Sequence, residues 1–178
     1  MSTISVQKIL ASYETDKAND KEHSYGYFYD NLFSAYDRLA KLNIVELGVE
    51  RGGSLCAWRE CFPNANIFGV DKEDKRSDKY IDASIVFYKE DLRDAIRHFK
   101  DIDILIDDSD HSLETMVFIA KNYSPLLREK GIIVFEDVQE PDMYFSAIEE
   151  AVPSAILTAY DYRPIKGRYD DFIITLEI

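Results

Sequence analysis

The sequence predicts an α/β fold: a doubly wound sheet of seven strands, mostly parallel, with an antiparallel C-terminal hairpin and helices on both faces. Three observations predict it. From residue 43 to about residue 136, short runs of β-branched and aromatic residues alternate with helical segments, as buried parallel strands alternate with crossover helices. Two longer runs at the end of the chain flank a compact turn that contains proline and glycine. The 178 residues, 46% hydrophobic and 13% aromatic, suit one domain with its own core.

Residues 1–42 read as an N-terminal helical segment with a candidate lid, and residues 43–178 as the sheet-bearing core of the same domain. Val6 to about Tyr13 suits a short helix. The polar stretch Glu14 to His23 then reads as a loop or lid. From Tyr25 to Leu42 the positions Phe28, Leu32, Phe33, Tyr36 and Leu39 fall on one helical stripe, which predicts a long helix packed on the core. Strands are expected at Asn43–Gly48, Asn66–Asp71, Ser84–Tyr88, Asp103–Asp107 and Gly131–Glu136. Helices are expected at Ser54–Phe62, Leu92–Phe99 and Leu113–Leu127. Ala155–Tyr162 and Asp171–Ile178 form the hairpin, joined by the turn Arg163–Arg168. Cys56 and Cys61, five apart in one predicted helix, face different ways and read as reduced core thiols.

Lysine and arginine total 21 and aspartate and glutamate 34, so the net charge is −13. That balance repels a phosphate backbone and argues against nucleic acid as a partner. No stretch approaches the ~20 apolar residues of a membrane helix, and the first residues do not read as a signal peptide. A cytoplasmic location without membrane partners is the expectation.

Ligands of an open parallel sheet bind outside the carboxyl ends of its strands. Each of the first five predicted strands finishes with an acid: Glu46; Asp71; Glu90 and Asp91; Asp107 and Asp108; Glu136 and Asp137. The first turn, Gly48-Val49-Glu50-Arg51-Gly52-Gly53-Ser54, has Glu50 where a dinucleotide fingerprint needs its second glycine. A carboxylate there opposes a pyrophosphate. S-Adenosylmethionine carries no phosphate and offers an ammonium, a sulfonium and a ribose diol, so the turn favours it over NAD. Asp108, Glu136 and Asp137 end neighbouring strands ~4.8 Å apart, where three carboxylates repel each other unless a cation joins them. Oxygen-only ligands point to a hard divalent ion, magnesium above all.

Glu46-Leu-Gly-Val-Glu-Arg-Gly-Gly-Ser-Leu, followed by Trp58, Phe62-Pro63 and Phe68-Gly69-Val70-Asp71, resembles the first two motifs of class I S-adenosylmethionine-dependent methyltransferases. Within them, Ile106-Asp-Asp-Ser-Asp-His111 and Gly131-Ile-Ile-Val-Phe-Glu-Asp137 resemble the metal-dependent sugar O-methyltransferases of the mycinamicin type. Thr15-Asp16-Lys17 with His23, Tyr25 and Tyr29 is similar to a segment that precedes their Rossmann-like core. The resemblance implies that Gly48, Gly52 and Gly53 shape the turn around the methionine part, with Glu46, Ser54 and Asp107 supporting it. It further implies that Asp71 takes the ribose hydroxyls and that Asp91, with Glu90 as rival, meets the adenine amine. Thr15 and Lys17 would close over the cofactor. Asp108, Glu136 and Asp137 would hold the metal, and Asp108 and His111 would be catalytic, with His111 taking the acceptor's proton.

The expected function is therefore a metal-assisted O-methyltransferase acting on a hydroxyl of a sugar or glycosylated small molecule. Two alternatives stay open: methylation of a catechol-like diol, and a non-catalytic cofactor- or sugar-binding subunit. The tyrosines at 25, 27 and 29 read as packing, and His98 as a helix-end cap. The N-terminal helices are a candidate surface for a homo-oligomer.

Overall fold

Strands Asn43–Leu47 (β1), Asn66–Asp71 (β2), Ile85–Lys89 (β3), Ile102–Asp107 (β4), Leu127–Phe135 (β5), Ile156–Asp161 (β6) and Phe172–Glu177 (β7) form one sheet. Their order is β3-β2-β1-β4-β5-β7-β6, in a computed structural model that describes residues 5–18 and 22–178. Expectations for residues 1–4, and for 19–21 of the polar loop, lie outside the described residues. The first five strands are parallel, whereas β7 runs antiparallel between β5 and β6. The predicted class and strand count are those observed.

Successive residues of a strand point to opposite faces, and here each face is apolar. Ile44, Ile67, Ile104, Ile106, Val134 and Ile173 face Val6–Ser12 (α1), Gly26–Ser34 (α2) and Gly53–Cys61 (α3). Val45, Leu47, Val70, Leu105, Ile133, Phe135 and Ile174 face Leu92–Ala95 (α4), Leu113–Tyr123 (α5) and Pro141–Ala151 (α6). Trp58 is fully buried on the first face, its ring 4.8 Å from that of Tyr29 and 5.4 Å from that of Phe33. The first turn of α1 is capped from outside: Asp30 of α2 accepts from the Val6 and Gln7 amides. Both cysteines are free, with Cys61 buried and Cys56 half-buried.

The structure corrects several boundaries. The helix expected from Tyr25 to Leu42 stops at Ser34, because Asp37 accepts the Leu39 amide with its own side chain at 3.0 Å and turns the chain out. Leu39 is consequently exposed. Helix α5 tightens into a 3-10 turn at Ser124–Leu126, where Pro125 lies, and β5 starts at Leu127. Helix α6, absent from the sequence reading, starts on Pro141 and buries Tyr144 and Ile148 at i, i+4 spacing. The expected hairpin turn contains one helical turn, Arg163–Lys166 (α7), closed by Gly167 at φ 74°. Among the described residues, no helix is long and apolar enough to cross a membrane.

Candidate active site

Chain order reverses between β1 and β4, the neighbours from which the two halves of the sheet wind outward, and a ligand crevice is expected at such a point. A cleft of about 380 Å³ opens there, lined among others by Asp16, Gly48, Glu50, Asp71, Glu90, Asp108 and His111. Its floor depends on one close approach. Gly48 has φ 84°, and a Cβ built on it would lie 1.9 Å from the Asp108 carbonyl oxygen. Only glycine lets the β1 turn touch the end of β4.

Asp71 locks the turn to β2. Its Oδ2 accepts from the Val49 amide at 3.0 Å and the Glu50 amide at 3.3 Å, while Oδ1 accepts from the Glu73 amide at 3.1 Å. The carboxylate is thus held at the cleft edge with acceptor capacity to spare, as a ribose diol requires.

Of the residues expected to bind cofactor, Gly48 and Asp71 line the cleft, and the others support it from behind or face elsewhere. Gly52 and Gly53 open α3. Buried Ser54 and Trp58 both donate to Glu46 Oε2, at 2.9 and 3.0 Å. Burial pushes the Glu46 carboxyl up to about 7, a rise partly offset by Lys17. Asp107 is also buried, which pushes it up to about 6; its Oδ1 accepts from the Ser109 hydroxyl at 2.6 Å. Thr15 turns its hydroxyl oxygen toward the Lys17 amide at 3.4 Å. Asp91 differs from the expectation: its side chain caps α4 through the Arg93 amide and pairs with Lys72, so Glu90 reaches the cleft instead. Glu90 is itself held by Arg97 and by His98, which stacks on Tyr88 rather than capping a helix.

The acids at the ends of β4 and β5 divide into two groups. Asp108, His111 and Asp137 each turn one donor atom toward a common point, these atoms lying within 4.8 Å of one another. His111 Nε2 is 3.6 Å from Asp137 Oδ2 and 4.0 Å from Asp108 Oδ1. Glu136 is not brought into this group, because its two oxygens accept from Lys17 and from the Tyr29 hydroxyl. Burial pushes Glu136 well above the usual carboxylate range, while Lys17 and Tyr29 oppose the rise. Asp137 is pushed up to about 6 by burial, against the influence of His23. Asp16, His23 and Asp137 form a second convergent group that shares Asp137. Asp108 and Asp137 at this spread suit a hard divalent cation that keeps some waters, with His111 Nε2 beside it as a free base.

Tyrosines and strain complete the site. Tyr25 and Tyr29 are buried, as packing predicts, yet their hydroxyls donate to Asp137 and Glu136 at 2.6 Å; Tyr27 is exposed instead. Glu50, His111 and Asp137 have φ of 45°, 54° and 56°, and such strain in non-glycine residues gathers at functional sites. The sequence reading missed Asp16, Glu50 and the cleft-lining Leu92. Asp16 lies in the same tripeptide as Lys17, and Glu50 in the turn itself, so both positions were visible without their roles.

A seven-stranded sheet with an inserted antiparallel strand and a cleft at the switch point is the Rossmann-like architecture of class I methyltransferases. A sequence family described as "Methyltransferase domain" matches residues 45–138, and the chain belongs to that family. It is 32% identical over 131 residues to the 8-demethyl-8-alpha-L-rhamnosyl tetracenomycin-C 2'-O-methyltransferase of Streptomyces olivaceus, covering 66% of this chain and 34% of that protein. The MycE methyltransferase of the mycinamycin biosynthetic pathway, solved with Mg, SAH and mycinamycin VI, superposes with a TM-score of 0.75 at 21% identity, over 98% of this chain and 54% of MycE. An O-methyltransferase from Bacillus cereus, solved with SAH, gives a TM-score of 0.67 at 16% identity, over 98% of this chain and 90% of that one. The chain therefore spans about a third of the curated relative and just over half of MycE.

Proposed function

We propose that the chain is an S-adenosylmethionine-dependent O-methyltransferase, assisted by a divalent cation such as Mg2+, whose acceptor is a hydroxyl of a sugar or glycosylated small molecule. The observation that carries this is the convergence of Asp108, His111 and Asp137, the first two of which line the same cleft as the Gly48 turn and Asp71. The sugar-modifying relative and MycE support the acceptor class.

When bound, the cofactor supplies an electrophilic methyl group, and the cation supplies Lewis acidity toward a coordinated hydroxyl. The chain supplies the rest. Asp71 and the turn from Gly48 to Glu50 orient the ribose end. Asp108 and Asp137 hold the cation, with Tyr25 fixing the Asp137 rotamer. His111 Nε2, facing the same space, removes the acceptor's proton as its oxygen becomes a nucleophile. Tyr144 donates to the His111 carbonyl at 3.1 Å and so keeps the strained backbone from swinging the imidazole away.

The test is a mass-spectrometric screen of sugars, nucleotide sugars, glycosides and catechols for the gain of one CH2, with and without EDTA. Methylated glycosides whose formation EDTA abolishes are expected. Products from catechols alone would replace the acceptor class, and EDTA-insensitive turnover would remove the cation.

A further inference from the structure

Lys17 is 1% exposed, and its ammonium is surrounded by acids from three strands. Nζ donates to Asp108 Oδ2 at 2.6 Å and to Glu136 Oε2, and lies 3.4 Å from Glu46 Oε1. The geometry at Asp108 is two-sided. Oδ2 faces the ammonium, whereas Oδ1 faces His111 Nε2 at 4.0 Å, on the side where Asp137 converges. One carboxylate thus stands between a fixed internal cation and the place of an exchangeable one.

We infer that Lys17 is a built-in competitor: its ammonium shares Asp108 with the divalent cation, engages the neighbouring Glu136, and thereby sets how tightly that cation is held. The inference rests on the cation-assisted reading above. A fixed positive charge one carboxylate away repels a divalent ion and draws electron density from the shared ligand. A loosely held ion keeps coordination positions that an acceptor diol can take from water. Lys17 acts through Asp108 and is a positioning residue. Replacing it by a neutral side chain leaves three acids facing one small space with no charge between them. Damage to packing would weaken cation binding, whereas relief of competition strengthens it, so the sign of the change separates the two roles.

The experiment is a titration of the wild-type chain and of Lys17→Gln, Lys17→Met and Lys17→Arg with Mn2+ alone, read by the loss of free-ion electron paramagnetic resonance signal. The neutral variants are expected to bind Mn2+ about tenfold or more tightly than wild type, with the arginine variant within about threefold of it. Equal or weaker binding by a neutral variant with the wild-type circular dichroism spectrum overturns the inference. So does failure of both neutral variants to fold, which would make Lys17 a structural requirement only. If wild type shows no saturable binding and a neutral variant does, the competition stands and the cation-assisted reading falls. If none binds, both fall.

Discussion

Gly48→Ala tests the close approach that builds the cleft, and Gly167→Ala is its control. Both glycines have positive φ, 84° and 74°, so alanine at either incurs the left-handed penalty of about 1 kcal/mol. Both substitutions also restrict the unfolded chain equally, which cancels in the comparison. The surroundings differ: nothing lies within 4 Å of a Cβ at 167, whereas at 48 it meets the Asp108 carbonyl oxygen at 1.9 Å and Ser109 Cα at 2.8 Å. Ordinary contact begins at 3.4 Å, so the β4 end must retreat by 3.4 − 1.9 = 1.5 Å. That movement breaks the bond from the Asp108 amide to the Leu47 carbonyl, 2.8 Å, and strains the one from the Gly48 amide to the Val70 carbonyl, 2.9 Å. At about 1 kcal/mol for each of these bonds, Gly48→Ala should cost about 3 kcal/mol and Gly167→Ala about 1. Urea unfolding followed by circular dichroism measures both, and calorimetry with SAH should show lost binding only for the variant at 48. A difference in stability below about 1 kcal/mol between the two variants would refute the clash argument.

Asp71→Ala removes a carboxylate poised for two charge-assisted hydrogen bonds, so SAH affinity should fall about a hundredfold by calorimetry; unchanged affinity would dissociate Asp71 from the cofactor. His111→Ala should lower methyl transfer by about 10²–10⁴-fold while leaving SAH affinity nearly intact, and a variant with wild-type turnover would end its role as base. Glu46, pushed by burial from the ordinary 4.5 to about 7, binds a proton in the folded chain that the unfolded chain releases between about pH 5 and 7. Stability therefore falls as pH rises through that window, and Glu46→Gln should flatten the fall by on the order of 3 kcal/mol in urea titrations at a series of pH values. An unchanged slope would show that another group carries it.

Much of this molecule was legible because burial on both sheet faces forces strands into unbroken apolar runs, and Ile44-Val45 or Ile104-Leu105-Ile106 cannot be mistaken for surface. Asp71, Asp107 and Glu136 were legible for the same reason: each is the first polar residue after an apolar run. Helix ends were less so. Phe33 and Tyr36 continue a helical stripe in sequence, but Asp37 binds the backbone two residues on and ends it. Helix α6 was missed although Pro141 with Tyr144 and Ile148 spells a helix start. Asp91 could not be separated from Glu90 by spacing, because what decides is which of them caps α4. Least visible was Lys17: its partners are 91 and 119 positions away, and no local pattern announces a contact made by three strands and a loop.

The insertion of β7 between β5 and β6 has a consequence for how the chain is made. Among the described residues strand β6 pairs only with β7, and β7 also covers the flank of β5. Until β7 has left the ribosome, β5 presents an unprotected hydrogen-bonding margin and β6 lacks its partner strand. β7, made after both, is the strand that locks them, so fragments ending just short of Phe172 should be especially prone to aggregate.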